Sequence, residues 1–192
     1  MTRPEPVRFA ITALLASPRH RYDGRPADGP GPVPGPETPD AVAVRAHKGL
    51  VGDRYFGSRH RYAAVTFLAE ESLERLATRL GTAALDPLAA RRNVVTRGLD
   101  VEDLLHTEFT LAGADGAPLR FRCLTRANPC AWMNDVLASG AHQAMRGDAG
   151  IRTEPLDDGV LALGPATLLA TRRLDPDEVS SLRRSALRSA GY

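Results

Sequence analysis

The sequence predicts an α+β, β-rich domain, a barrel of short strands with a few peripheral helices. Three observations lead there. Short apolar runs of about 4–8 residues recur along the chain, bounded by Gly, Pro or Asp turns. Helical periodicity is confined to a few segments. There is no strict βαβ alternation and no repeat with a period of about 20–50 residues.

The elements follow in order. Val7–Ala16 (VRFAITALLA) is apolar almost throughout, which marks a buried strand. Ser17–Asp40 holds seven of the fifteen prolines and four glycines. That composition supports neither helix nor central strand and predicts a long mobile loop. Val42–Val44 is a short strand, His47–Gly57 a turn region, and Ala63–Ala69 (AAVTFLA) a stronger strand. Glu70–Leu80 is a helix with Leu73, Leu76 and Leu80 on one face. Its acidic start suits the helix dipole, and Gly81 stops it. Arg92–Thr96 is a strand and Val101–Leu105 a helical turn. Glu108–Ala112 and Leu119–Leu124 form a hairpin around Ala114–Pro118. Pro129–Ala138 reads as a helix. Gly150–Leu156 and Val160–Leu163 form a second hairpin, and Thr167–Thr171 adds a strand. Asp175 caps a terminal helix, with Pro176 at its first position. The expected organisation is one domain over 1–174, interrupted by the loop, with a C-terminal helix over 175–192.

Composition narrows the function classes. A chain of 192 residues buries roughly 70% of its unfolded surface and needs no disulfide or structural metal to fold. A net charge of +2 argues against a nucleic-acid partner. Two cysteines make no disulfide framework. No apolar stretch approaches the roughly 20 residues of a membrane span, and the start Met1–Pro6 opens no signal-like core. The expected location is the cytoplasm, with reduced thiols. Lys48 is the one lysine among 25 basic residues. Either genome composition or a use for guanidinium forks accounts for that bias.

Phosphate loops, His-Glu-x-x-His and Cys-x-x-Cys are absent, so the candidates are local segments. In Gly49–Tyr55 a tight turn delivers Asp53 and Arg54, either as a structural turn or as part of a cleft. In Arg91-Arg92-Asn93 strand alternation puts Arg91 and Asn93 on one face and Arg92 on the other. The first pair suits a phosphate or a planar polar ring, unless the strand edge is merely solvated. In Asn128-Pro129-Cys130, proline extends Asn128 and opens a helix, placing Cys130 in the first turn. There a thiolate is favoured, as nucleophile or soft metal ligand; the alternative is an inert thiol. Cys123, in alternation with Phe121, reads as core. Arg146, between glycine-bearing turns, suits a ligand loop or a plain hairpin approach. A zinc site of Cys130 with His142 matches no standard spacing.

Taken in order, these segments resemble the MOSC domain, the family named for the C-terminal domain of molybdenum-cofactor sulfurase. The matching pieces are GLVGDRYFG, AAVTFLAEESLERL, RRNVVTRGLDVEDLL, EFTLAG, PCAWM and RGDAGIRTEPLDDGVLALGPATL. The resemblance implies a partly closed β-barrel with peripheral helices and a cleft for a pterin-based molybdenum cofactor. It implies Cys130 as metal ligand or persulfide carrier, and Arg91 and Asn93 as cofactor contacts. Asp53 and Arg54 would shape the same cleft, beside Asn128 and Arg146. Relatives reduce N-hydroxylated compounds, so the implied activity is reduction of such small molecules. No flavin or iron–sulfur segment is visible, so the electrons would come from a partner carrying one. The alternatives are a non-redox sulfur carrier served by a cysteine desulfurase, a cofactor chaperone, or a scaffold for another ligand.

Overall fold

The computed structural model describes residues 6–114 and 116–190, the last four by backbone alone. The opening Met1–Glu5 and Asp115 of the first hairpin turn lie outside the described residues. The strands are β1 (Val7–Leu14), β2 (Ala41–Arg45), β3 (Gly49–Leu50) and β4 (Val65–Ala69). Helix α1 (Glu70–Leu80) leads to β5 (Val94–Arg97), β6 (Thr107–Gly113) and β7 (Leu119–Arg126). Two four-residue helices, α2 (Met133–Val136) and α3 (Ala141–Ala144), precede β8 (Ile151–Pro155). β9 (Gly159–Ala162), β10 (Gly164–Arg173) and α4 (Pro176–Ala190) complete the chain.

Seven of these strands close a barrel in the order β1–β10–β6–β7–β8–β4–β5, and β3, β2 and β9 form a small second sheet. The β-rich α+β expectation therefore holds, and the barrel is fully closed. Its one parallel contact among the described strands is β4 with β5. Helix α1 supplies the crossover such a pairing needs.

β4 shows why its sequence is continuously apolar. Phe67 enters the barrel core while its neighbour Leu68 belongs to the cluster under α1, and both are fully buried. Inside the barrel Phe67 meets Phe109 and Phe121 edge-on, at centroid distances of 5.9 and 5.3 Å. Phe109 and Phe121 stack at 5.6 Å. Outside, Leu73 and Leu76 of α1 join Trp132, Met133 and Met145.

The terminal helix is capped as expected. Asp175 Oδ1 accepts the Glu178 N–H (2.8 Å), and Glu178 Oε2 accepts the Asp175 N–H (3.0 Å), a reciprocal capping box. Gly81 ends α1 in the left-handed conformation, φ 63°.

Four local expectations shift. β5 begins at Val94, not Arg92, because Arg91 takes φ 53° and breaks the extended run. The Pro129–Ala138 helix shrinks to Met133–Val136, with α3 restarting after left-handed Gly140. The His47–Gly57 turn region contains β3, which pairs with β2. The last barrel strand runs ten residues because β10 spans both β1 and β6.

The Ser17–Asp40 loop is a strap pinned near both ends. Arg21 and Gly31 bond each other through the Arg21 carbonyl and guanidinium at 2.8 Å. Tyr22 stacks on Trp132 at 5.2 Å and its hydroxyl donates to the Ala89 carbonyl (2.6 Å). Near the far end, the Glu37 carbonyl accepts the Ala16 N–H (2.8 Å). Among the described residues no helix is long and apolar enough to cross a membrane.

Candidate functional site

Below the strap, the end of β1, the turn after β3, the segment ahead of β5 and the outer face of β4–β8 meet. Asp53 joins the first three. Its Oδ1 accepts the Tyr55 N–H (2.9 Å), and its Oδ2 accepts the Ser17 N–H (3.3 Å) and Asn93 Nδ2 (3.0 Å). Asn93 adds the fourth. Its Nδ2 also donates to the Leu15 carbonyl (2.9 Å), and its Oδ1 accepts from the Thr66 N–H (2.9 Å) and hydroxyl (2.8 Å). Both amide donors and both acceptor positions are thus in use, the full capacity of a carboxamide. Asp53 and Asn93 are buried bolts that shape the cavity.

Four arginines stand on the cavity wall: Arg54, Arg91, Arg92 and Arg152. The cavity has a volume of about 60 Å³, room for a tetrahedral anion or a few waters. Arg91 is engaged on one edge only, and its Nε is buried with no hydrogen-bond partner. Its Nη1 and Nη2 reach the two Glu37 oxygens at 2.7 and 3.1 Å, with 6% and 10% of the two side chains exposed. That fork holds the Glu37 carboxyl below its ordinary range.

Arg92 has an unused donor. Its Nε donates to the Ala149 carbonyl and its Nη1 to the Ala90 carbonyl, both at 2.9 Å. Its Nη2 is buried with no hydrogen-bond partner. Burial pushes its pKa down to about 10, and the Arg152 guanidinium adds to the shift, with a smaller push from Arg54. The group remains a cation at neutral pH. Arg152 lies opposite Thr66 in the β4–β8 pairing, so both side chains share a sheet face. No carboxylate within salt-bridge distance is found for Arg54, Arg92 or Arg152 among the described residues; Arg54 lies over the Tyr55 ring at 4.9 Å. Three cations without a carboxylate around one void, one of them with an orphaned N–H, suit an anionic ligand.

Cys130 is exposed, whereas Cys123 is buried. The Cys130 carbonyl accepts the Met133 N–H (3.0 Å), so this residue precedes α2 instead of lying in its first turn. Burial pushes the Cys123 thiol up to about 12.

The structure thus brings Asp53, Arg54, Arg91 and Asn93 to one cavity, and Asn128, Cys130 and Arg146 are not on its wall. Asn128 and Arg146 are exposed. Sequence reasoning turned Arg92 away from the cavity and missed Arg152 and Glu37. Arg152 sits between core residues Ile151 and Thr153, a signal readable only once its strand partner is known. Among the described residues no three His, Cys, Asp or Glu side chains form a metal cage.

A family model described as the MOSC domain matches residues 46–163. Among solved structures, the YuaD protein from Bacillus subtilis superposes with a TM-score of 0.64 at 15% identity, over 85% of this chain and 96% of that one. YiiM from Escherichia coli gives 0.56 at 16% identity, over 90% and 76%. YiiM from Geobacillus stearothermophilus gives 0.54 at 16% identity, over 84% and 75%. No curated protein matches the chain. These likenesses establish the fold.

Proposed function

The chain belongs to the MOSC domain family, and on that premise we propose that it binds a molybdenum cofactor and reduces N-hydroxylated small molecules. The observation that carries the reading is the buried, unpartnered Nη2 of Arg92 beside Arg54 and Arg152. A buried donor without an acceptor costs about 1–3 kcal/mol, which an anion at that position offsets.

The residues fit such a cofactor at two points. The cavity takes its phosphate end, held by Arg54, Arg92 and Arg152, and is too small for its ring system. The exposed Cys130 offers a soft thiolate, the donor type that suits a metal held by sulfur. Because no protein cage for a free metal exists among the described residues, the metal would arrive within its own organic ligand. When bound, the cofactor supplies two-electron redox chemistry, and the protein supplies orientation and electrostatics. In the net reaction the N–O bond breaks, two electrons and two protons enter, and amine and water leave. The electrons come from a separate flavin or iron–sulfur protein.

The test is metal analysis with pterin fluorescence on protein made in a cofactor-competent cell. Wild type retains molybdenum in stoichiometric amount, and Cys130→Ser alters the metal's spectrum. Arg92→Ala lowers cofactor affinity roughly 10- to 150-fold, the loss of one charge-assisted hydrogen bond. Folded wild type without molybdenum, or Arg92→Ala with full occupancy, overturns the reading.

The exposure of Cys130 also supports a second reading, sulfur carriage. Its thiolate would attack the persulfide of a cysteine desulfurase, gaining the outer sulfur and releasing the desulfurase thiol. A reductant-labile mass gain of one sulfur on Cys130 distinguishes it.

A further inference from the structure

We infer that Glu37 sets the ligand specificity of the arginine-lined cavity: by filling the Arg91 fork, it admits one phosphoryl group and rejects a diphosphate. The inference rests on the anion-binding part of the function proposed above, and it does not involve the metal.

Arg54, Arg92 and Arg152 stand without a carboxylate around a void of about 60 Å³, the space for one tetrahedral anion. A second phosphoryl group needs another guanidinium, and the one left on the wall is Arg91. Its fork is occupied in bidentate geometry by Glu37, both side chains being nearly buried. Glu37 occupies the Nη1/Nη2 edge and cancels the Arg91 charge, so only the single buried Nε–H of Arg91 is left without a partner, too little for a second phosphoryl group. The Arg91 hydrogen bond keeps Glu37 ionised, so an incoming second phosphoryl group meets a negative charge where it needs a positive one. Glu37 cannot easily swing away. Its carbonyl is tied to the Ala16 N–H, and the strap is held again by the Tyr22–Trp132 stack. The selecting carboxylate therefore comes from the strap, outside the span that matches the family model.

The experiment is calorimetric titration of the purified full chain with inorganic phosphate and with pyrophosphate, at fixed pH and salt. Wild type binds phosphate at least tenfold more tightly than pyrophosphate. In Glu37→Gln, pyrophosphate affinity rises at least tenfold and phosphate affinity changes less than threefold. In the double variant Glu37→Gln with Arg91→Gln, the gain disappears and phosphate binding persists. Equal gains for both anions in Glu37→Gln, or no gain, overturn the inference. Should Glu37→Gln fail to fold, wild type decides alone: pyrophosphate binding as tight as phosphate overturns it. This pattern in a protein that holds no molybdenum would sink the proposed function and keep the inference. Retained molybdenum with unaltered pyrophosphate binding in Glu37→Gln would do the reverse.

Discussion

A β-carbon on Gly150 would stand 2.0 Å from the carbonyl oxygen of Phe67. Gly150 also sits at φ 88°, where L side chains are strained. Its N–H donates to Glu102 and its carbonyl accepts the Ala127 N–H, both within 2.9 Å. This contact sets how closely the chain entering β8 can approach β4.

Gly150→Ala should therefore destabilise the fold by about 2–5 kcal/mol, combining backbone strain with overpacking. Urea unfolding measures it. Gly147→Ala is the control: it carries a similar φ of 86° but has open space around it, so only the strain remains. Equal losses in the two variants would remove the steric argument.

The Arg91–Glu37 pair makes a stability prediction with a defined sign. Arg91→Ala leaves a buried carboxylate unpaired and should cost about 3–5 kcal/mol. Because the Glu37 carboxyl is held below its ordinary value of 4.5, its contribution is present above that pH and lost as pH falls through the folded value. The stability gap between wild type and Glu37→Gln should thus be constant above about pH 5.5 and narrow below about 4.5. A gap that widens on acidification contradicts the pairing.

The two thiols should separate cleanly. Exposed Cys130 is alkylated in the native protein. Cys123, buried and with its pKa pushed up to about 12, reacts only after unfolding. Peptide mass mapping after a short native labelling pulse reads this out, and labelling of Cys123 in that pulse would refute the closed barrel around it.

Tyr22 anchors the strap through one ring stack and one hydrogen bond. Such contacts contribute about 0.5–1.5 and about 1 kcal/mol. Tyr22→Ala should then speed proteinase K nicking within 23–36 roughly tenfold or more, with the global unfolding midpoint little changed. An unchanged nicking rate would mean that Tyr22 does not anchor the strap.

The strands and α1 were legible because local patterning and burial agree there: Phe67 and Leu68 are both apolar because each faces a different core. The site was legible only in part. Asp53, Arg54, Arg91 and Asn93 were placed together, but the division of labour among them depends on one backbone angle. A left-handed arginine at 91 ends the two-residue alternation before it starts. That frees Arg92 for the cavity, and no residue type in Arg91-Arg92-Asn93 signals it. Glu37 lay hidden because its partner is 54 positions away, inside a segment whose proline content reads as featureless. The expected Pro129–Ala138 helix is realised only as Met133–Val136, and Gly140 instead caps the start of α3.

The pairing of β1 with β10 bears on biosynthesis. Val7 lies opposite Leu168, so the first strand leaves the ribosome about 160 residues before its partner is made. At about 5–20 residues per second, that is a wait of roughly 8–30 s. β5 offers its other edge a partner much sooner, through Leu14 against Val94. Between those two events the nascent chain carries an apolar strand with one open edge, a surface suited to a ribosome-associated chaperone and prone to pairing with a neighbouring nascent chain on the same message.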